Sequence, residues 1–139
     1  MNVTRFLDTN ILVYALDLDA GAKRQTCLGL VEAGWHVLGQ TAISVQVLQE
    51  LQVNLVRLGR SIGEANELVR DFYHWPVVEN TLSLLDDALE VQARWQLSLW
   101  DALIVAAARS SGATELLTED LSHGQEFGGL RVRNPFVEP

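Results

Sequence analysis

The sequence predicts an α/β fold with a mainly parallel sheet, formed by a single domain that spans the chain, 1–139. Short apolar runs alternate with longer segments of helical periodicity, which is typical of parallel strands connected by helices. The three prolines, Pro76, Pro135 and Pro139, leave the interior nearly free of helix breakers. A chain of 139 residues without a linker or an internal repeat is long enough to bury one core.

Strand and helix signals alternate in the first half of the chain. A strand over 3–7 ends at a polar turn, and a first helix follows from Asn10. A second helix is predicted over 22–33 and a second strand within 35–43. Ser44 is a suitable N-cap for a third helix. Its core face is expected to be a stripe of leucines at steps of three and four: Leu48, Leu51, Leu55 and Leu58.

The second half continues the alternation. Ser61 starts a capping box and opens a fourth helix, and a short strand follows over 75–78. A fifth helix is carried by Leu82, Leu85 and Leu89. Ser98 opens a sixth helix that is apolar on nearly all sides and is therefore expected to be buried. Two more strands are predicted, over 115–118 and 131–133.

Composition excludes several classes of protein. With 48% hydrophobic and 20% charged residues, the chain is not disordered. Its apolar stretches are too short to cross a membrane, and it has no signal-peptide pattern, so we expect a cytoplasmic protein. The single cysteine, Cys27, excludes an internal disulfide and is expected to be buried.

The net charge of −8 limits how the chain could bind nucleic acid, because a polyanion would need a local basic patch or bound cations. The candidate phosphate contacts, for which a solubilising role is the alternative, are Lys23, Arg24, Arg57, Arg60, Arg70, Arg131 and Arg133. The four tryptophans could stack on bases, but core packing is the expectation for all of them: Trp35, Trp75, Trp95 and Trp100.

Carboxylates interrupt the apolar segments at four informative places. Asp8 directly follows the first strand and Asp120 follows a later one, and ligands of open parallel sheets bind beyond the carboxyl ends of the strands. Asp101 is the only charge in 97–108, where burial of an unpaired charge would be costly. Glu50 lies at the edge of the leucine stripe of the third helix.

Each of these acids also has a purely structural explanation. Asp8 could cap the first helix, and Asp101 could complete a capping box with Ser98. Asp120 could be a turn residue, and Glu50 could be a surface residue. If the four meet, however, their charges repel one another, and the usual solution is a hard divalent cation, Mg²⁺ or Mn²⁺. Such a cluster supports hydrolysis of phosphodiesters.

Five segments together resemble the PIN domain over essentially the whole chain: FLDTNILVYA, ISVQVLQE, LSLWDALIVAAA, LLTEDLSHGQ and GGLRVRNPF. In length and motif order the chain resembles the VapC-type toxins of bacterial toxin–antitoxin pairs. The resemblance implies a PIN-like three-layer α/β/α sandwich around a mainly parallel sheet. It also implies cleavage of RNA that depends on Mg²⁺ or Mn²⁺.

The resemblance further assigns the site. The acidic positions of the family correspond to Asp8, Glu50, Asp101 and Asp120. The three aspartates are expected to hold one or two Mg²⁺ ions, and the glutamate to complete the shell or hold an attacking water. Asn10 and Thr118 match polar residues that orient the metal ligands. Glu119 could share the role of its neighbour Asp120.

The resemblance implies three partners: an RNA substrate, a second copy of the chain in a homodimer, and a small antitoxin. Four valines lie off the leucine stripe and could form an interface or pack on the sheet: Val45, Val47, Val53 and Val56. Two other functions stay open, a PIN nuclease of RNA processing without an antitoxin and a non-catalytic binding module. A phosphatase with Asp8 as nucleophile is a further alternative, although it would need a second acid at Asn10 and a lysine late in the chain.

Overall fold

A six-stranded sheet lies between two groups of helices in the computed structural model, which describes residues 2–137. The strands are β1 (Arg5–Leu7), β2 (Thr41–Ser44), β3 (Val77–Val78), β4 (Glu115–Leu117), β5 (Glu126–Phe127) and β6 (Leu130–Arg133). The α-helices are α1 (Thr9–Leu16), α2 (Ala22–His36), α3 (Val45–Arg57), α4 (Ile62–Asp71), α5 (Leu82–Trp95) and α6 (Leu99–Ser110), and a 3₁₀ turn (Phe72–His74) follows α4.

The sheet has the strand order β3-β2-β1-β4-β6-β5 and is parallel except for β5, which forms an antiparallel hairpin with β6. The chain moves outward from β1 to β3 and then returns to β4 on the other side of β1. Right-handed crossovers therefore place α1–α4 on one face and α5 with α6 on the other. The contacts of α1 with α2 and α3, of α3 with α4, and of α5 with α6 agree with this arrangement. The predicted three-layer sandwich with a mainly parallel sheet is confirmed.

The centre of the sheet is its most buried part. Phe6 and Leu7 on β1 and Leu116 and Leu117 on β4 are inaccessible to solvent. The chain reverses its direction of travel across the sheet between these two strands. In open parallel sheets a crevice forms at this point, beyond the carboxyl ends of the two strands. The next residues on both strands are polar, so the fold places polar side chains at the end of an apolar core.

Serine caps fix where three of the helices begin, as predicted. The hydroxyl oxygen of Ser44 accepts from the N–H of Val47 at 3.3 Å, and that of Ser98 accepts from the N–H of Asp101 at 3.1 Å. Ser61 caps α4 in the same way, accepting from the N–H of Glu64 at 3.1 Å. Each cap satisfies a backbone donor that the first turn of a helix otherwise leaves without a partner.

Two leucine stripes pack differently from what their spacing suggests. Leu58 was expected in the core but follows the last residue of α3 and is about half exposed. In α5 the helix is present, but the leucines that indicate it are exposed: Leu82, Leu85 and Leu89. Its buried residues are Leu84, Ala88 and Val91. Both sets have helical spacing, and packing on α6 and the sheet decides which set is buried.

The remaining differences concern the ends of elements. The second helix continues to His36, so the second strand begins only at Thr41. The two-residue strand β5 is too short to leave a periodic pattern and was not predicted. Cys27 is buried, as expected, and burial raises the pKa of its thiol to about 12. No helix within residues 2–137 combines the length and the apolar character that crossing a membrane requires.

Candidate active site

Asp8 lies at the carboxyl end of β1 and is held from three sides. Its N–H donates to the carbonyl of Leu117 on β4 at 3.0 Å. One carboxylate oxygen accepts from the N–H of Thr9 at 2.7 Å, which makes Asp8 the N-cap of α1. The other oxygen accepts from the hydroxyl of Thr118 at 2.7 Å. The residue is only 7% exposed. The capping role expected as an alternative is therefore present, and it fixes the carboxylate at the crevice.

The environment of Asp8 disfavours its charged form. Burial raises the pKa of this carboxyl to about 6, and the nearby charges of Asp120 and Glu50 act in the same direction. The hydrogen bonds from Thr118 and Thr9 oppose this effect but do not cancel it. Folding thus holds a carboxylate in a place where negative charge accumulates.

Thr118 and Asn10 connect Asp120 to Asp8. The hydroxyl of Thr118, which donates to Asp8, also accepts from the N–H of Asp120 at 3.0 Å. The amide of Asn10 donates to the carboxylate of Asp120 at 3.2 Å. Burial raises the pKa of Asp120, and the charges of Glu119 and Asp101 raise it further. The two polar residues predicted to support the acids do contact them.

Glu50 and Asp101 approach the same crevice from α3 and α6. The hydroxyl of Thr9 donates to the carboxylate of Glu50 at 3.3 Å, and Glu50 is otherwise exposed. The N–H of Asp101 donates to the cap Ser98, but the carboxylate of Asp101 makes no hydrogen bond or ion pair within residues 2–137. Its charge acts on Asp120. All four predicted acids therefore belong to one electrostatically connected group.

Glu119 belongs to a different cluster. Its carboxylate pairs with the ammonium of Lys23 at 2.8 Å and accepts from the hydroxyl of Tyr14. The same ammonium lies 4.9 Å from the ring centroids of both Tyr14 and Phe136. Burial acts to raise the pKa of Glu119, but the hydrogen bonds and the charge of Lys23 outweigh it, and the net shift is downward. Glu119 is therefore already compensated by this chain.

The donor set fits a hard cation in its chemistry and charge. It consists of carboxylate oxygens, the ligands that Mg²⁺ and Mn²⁺ prefer, and the one lysine near the mouth is paired with Glu119. As they stand, no three histidine, cysteine, aspartate or glutamate side chains within residues 2–137 are grouped closely enough to hold a metal ion. Coordination would therefore require some of these side chains to turn. Those of Asp120 and Glu50 are exposed, and each accepts a single side-chain hydrogen bond.

Several of the predicted phosphate contacts are engaged within the protein. Arg60 donates to the carbonyl of Leu16 at 3.1 Å. Lys23, Arg131 and Arg133 pair with carboxylates: Glu119, Glu126 and Glu115, respectively. A continuous basic track next to the acids is therefore not evident from these four residues.

The tryptophans divide into three that pack and one that does not. Trp75 is buried, and Trp35 lies against it with ring centroids 5.3 Å apart, but Trp35 is itself 38% exposed, so the expected core packing holds for it only in part. Trp95 packs against Phe127 at 5.2 Å. Trp100, however, is 67% exposed, so the expectation that it lies in the core is wrong. It occupies the first turn of α6, on the side that the sheet and the other helices leave open.

Sequence reasoning missed Thr9, Tyr14 and Gln46 around the site. Thr9 stands between two predicted site residues, and its hydroxyl reaches Glu50. The hydroxyl of Tyr14 donates to Glu119. Gln46 is one helical turn before Glu50, and its amide donates to the carbonyl of Trp100 at 3.4 Å. The four-residue spacing of Gln46 and Glu50 could have indicated that they share one helix face. The contact of Tyr14 with Glu119 leaves no such signal, because it joins residues 105 positions apart.

Comparison with known proteins identifies a family and several neighbours. A family model for the PIN domain matches residues 5–124. A toxin–antitoxin complex from Klebsiella pneumoniae is 22% identical, with a TM-score of 0.70 and coverage of 96% of this chain and 98% of that chain. VapBC2 from Rickettsia felis, bound to a DNA fragment from its promoter, is 20% identical, with a TM-score of 0.65 and coverage of 95% and 98%.

A third structural neighbour is described as a Sarcin-Ricin loop cleaving toxin. This protein, VapC20 of Mycobacterium tuberculosis, is 23% identical, with a TM-score of 0.62 and coverage of 81% of this chain and 87% of that chain. No curated protein matches the sequence. At these identities the neighbours establish the fold, and the family model establishes the membership.

Proposed function

The chain belongs to the PIN domain family, and from that premise we propose that it is a metal-dependent endoribonuclease and the toxin of a type II toxin–antitoxin pair. One observation carries the proposal. The carboxylate of Asp8 lies at the crevice between β1 and β4, where burial raises its pKa and the charges of Asp120 and Glu50 add to that effect. The solved neighbours include a toxin–antitoxin complex and VapBC2, and a third is described as a Sarcin-Ricin loop cleaving toxin.

Asp8, Asp101 and Asp120 would hold one or two Mg²⁺ or Mn²⁺ ions. Such an ion lowers the pKa of bound water and neutralises charge that develops on the phosphate. The chain itself supplies the orientation: Thr118 fixes Asp8 and the backbone of Asp120 together, and Asn10 holds the carboxylate of Asp120.

Glu50 has a separate role in the proposal. Its carboxylate is exposed and accepts only one long side-chain hydrogen bond, from Thr9 at 3.3 Å. A weakly held carboxylate at the edge of the crevice is suited to hold a water molecule or to accept its proton. A buried and doubly hydrogen-bonded residue such as Asp8 is instead suited to a fixed ligand position.

Cleavage by purified protein tests the proposal. The wild type is expected to cut single-stranded RNA with Mg²⁺ and to stop when the metal is chelated. Asp8→Asn and Asp101→Asn should each reduce the rate at least about a hundredfold, because several kcal/mol of transition-state stabilisation is lost. Unchanged cleavage by both variants in nuclease-free preparations would contradict the assignment. If the wild type cleaves and the variants do not, sequencing of RNA ends after a short pulse of expression would identify the RNA that is cut.

Metal binding can be measured independently of cleavage. A cation that binds only the folded state raises its stability, by about 2.7 kcal/mol at a hundred times its Kd. Melting scans are expected to show an upward shift with Mg²⁺ in the wild type and none in Asp8→Asn. An equal shift in the two proteins would place the metal elsewhere.

The structure does not favour a phosphatase with Asp8 as nucleophile. The position two residues after Asp8 is Asn10, whose carboxamide cannot serve as a general acid and donates instead to Asp120. Both oxygens of Asp8 accept hydrogen bonds, and the single lysine is paired with Glu119. A PIN nuclease of RNA processing would have the same site, and it is distinguished by the absence of a stable complex with a small protein encoded next to it.

Antitoxin and homodimer partners are part of the proposal. An apolar groove of about 680 Å³ lies between α3, α4 and β3. Val45, Val53, Val69 and Val77 line it, and Val53 is about half exposed, whereas Val47 is buried in the core. Exposed apolar surface of this kind supports binding of a protein. The expected location for such a ribonuclease is the cytoplasm.

A further inference from the structure

Trp100 is the large aromatic side chain whose exposure the core does not explain. Trp100 is 67% exposed, whereas Trp75 is 3% exposed. An indole left in water forgoes the free energy that burial of its large apolar surface would provide. The other three tryptophans contact aromatic rings, and no such aromatic contact of Trp100 occurs within residues 2–137.

The position of Trp100 ties it to the acidic crevice. It immediately precedes Asp101 in the first turn of α6. Its carbonyl accepts from the amide of Gln46, one turn before Glu50 on α3. Two helices that each carry a candidate catalytic acid are therefore joined at Trp100. The exposed indole is therefore carried by a residue whose backbone lies between the two helices, next to Asp101.

We propose that Trp100 is a base-stacking subsite, which binds an unpaired nucleobase of the RNA next to the phosphate that is cut. This inference rests on the proposed function and names its substrate class, RNA in which a base is free to leave its stack. Every base has a π-face, so stacking on an aromatic ring is tolerant of sequence and does not require the positive charge that this chain lacks.

The charge of the chain supports such a subsite. The protein carries a net charge of −8, and two of the candidate phosphate contacts, Lys23 and Arg60, are engaged by Glu119 and the carbonyl of Leu16. Phosphate contacts by these side chains would have to displace bonds that already exist. A neutral stacking contact can bind RNA without that cost, and it gives an affinity that depends less on salt than phosphate contacts do.

The test is RNA binding by variants in the Asp8→Asn background, which separates binding from cleavage. Trp100→Ala is expected to raise the Kd for a fluorescein-labelled single-stranded RNA about tenfold, and Trp100→Phe to restore most of the loss. Tyr73→Ala is the matched control, because Tyr73 is 63% exposed but lies in the 3₁₀ turn after α4. Its Kd is expected to be unchanged. In the active enzyme, Trp100→Ala should raise KM more than it lowers kcat.

Removal of a base from the RNA gives the same test without changing the fold. An abasic position beside the cut site should weaken binding to the parent protein and have no further effect on Trp100→Ala, since the two changes remove one contact. Equal binding by Trp100→Ala and its parent, with wild-type cleavage intact, would overturn the subsite and leave the nuclease standing. Failure of the wild type to cleave or bind RNA would overturn both.

Discussion

Glu119 and Asp120 are neighbours in the sequence, yet they lie in opposite electrostatic environments. Glu119 is paired with Lys23 and Tyr14, and its pKa is lowered. Asp120 accepts from Asn10, with no cationic side chain paired to it within residues 2–137, and its pKa is raised. One carboxylate is compensated by the chain itself, and the next is left with other carboxylates around it.

The difference shows how the same residue type can serve stability or chemistry. Around Glu119 the partners are a cation and a phenol, which stabilise the charged form. Around Asp8 and Asp120 the partners are hydroxyl, amide and backbone donors, which orient the carboxylates without neutralising their charge. That uncompensated charge is what an external cation would bind.

The largest expected effect is a difference in RNA cleavage between substitutions of Asp120 and of Glu119. Asp120→Asn should lower RNA cleavage at least about a hundredfold, because it removes a proposed metal ligand. Glu119→Gln should leave cleavage within about twofold, since its carboxylate is already occupied by Lys23. The measurement is the cleavage rate of the wild type and the two variants, taken in parallel on the same RNA. The reverse ranking would move the metal site from Asp120 to Glu119.

The next effect concerns stability and pH. The pKa of Asp8 is about 6 in the folded protein against 3.8 for the ordinary group. The folded state therefore binds more protons between those values, and stability falls as pH rises through about 4 to 6. The penalty is complete above that window and amounts to at most about 3 kcal/mol.

Asp8→Asn should remove this penalty while it keeps the helix cap, because asparagine is an equally good N-cap. With metal chelated, the variant is expected to be more stable than the wild type at neutral pH and to lose that advantage near pH 4. Denaturant titrations at the two pH values measure the difference. A variant less stable than the wild type at neutral pH would show that the hydrogen bond from Thr118 to the carboxylate outweighs the cost of burying its charge.

The smallest effect tests whether the Glu119 cluster acts as a unit. Lys23→Gln and Glu119→Gln should each lower the melting temperature by no more than a few degrees, since the pair is partly exposed. The double variant should be no less stable than either single variant, because all three lose the same ion pair. Additive losses would mean that Lys23 and Glu119 act independently.

Much of the fold was predictable because local signals were strong. Ser44, Ser61 and Ser98 predicted three helix starts, and each caps its helix. The face that α5 buries was not predictable, because the leucines from Leu82 and the set with Ala88 have equivalent spacing. Trp100 was misplaced for the same reason: a nearly all-apolar helix does not indicate which side its neighbours leave open.

Local sequence was sufficient to predict the helices, all strands except β5, the helix caps and the family, because these depend on neighbouring residues and on motifs within short segments. It also determined that Asp8, Glu50, Asp101 and Asp120 were the candidates. The packing of the elements brings the hydroxyl of Thr118 to Asp8, 110 positions away, and pairs Lys23 with Glu119 rather than with the acids of the crevice. Such contacts depend on which strands and helices lie side by side, and no local pattern records that.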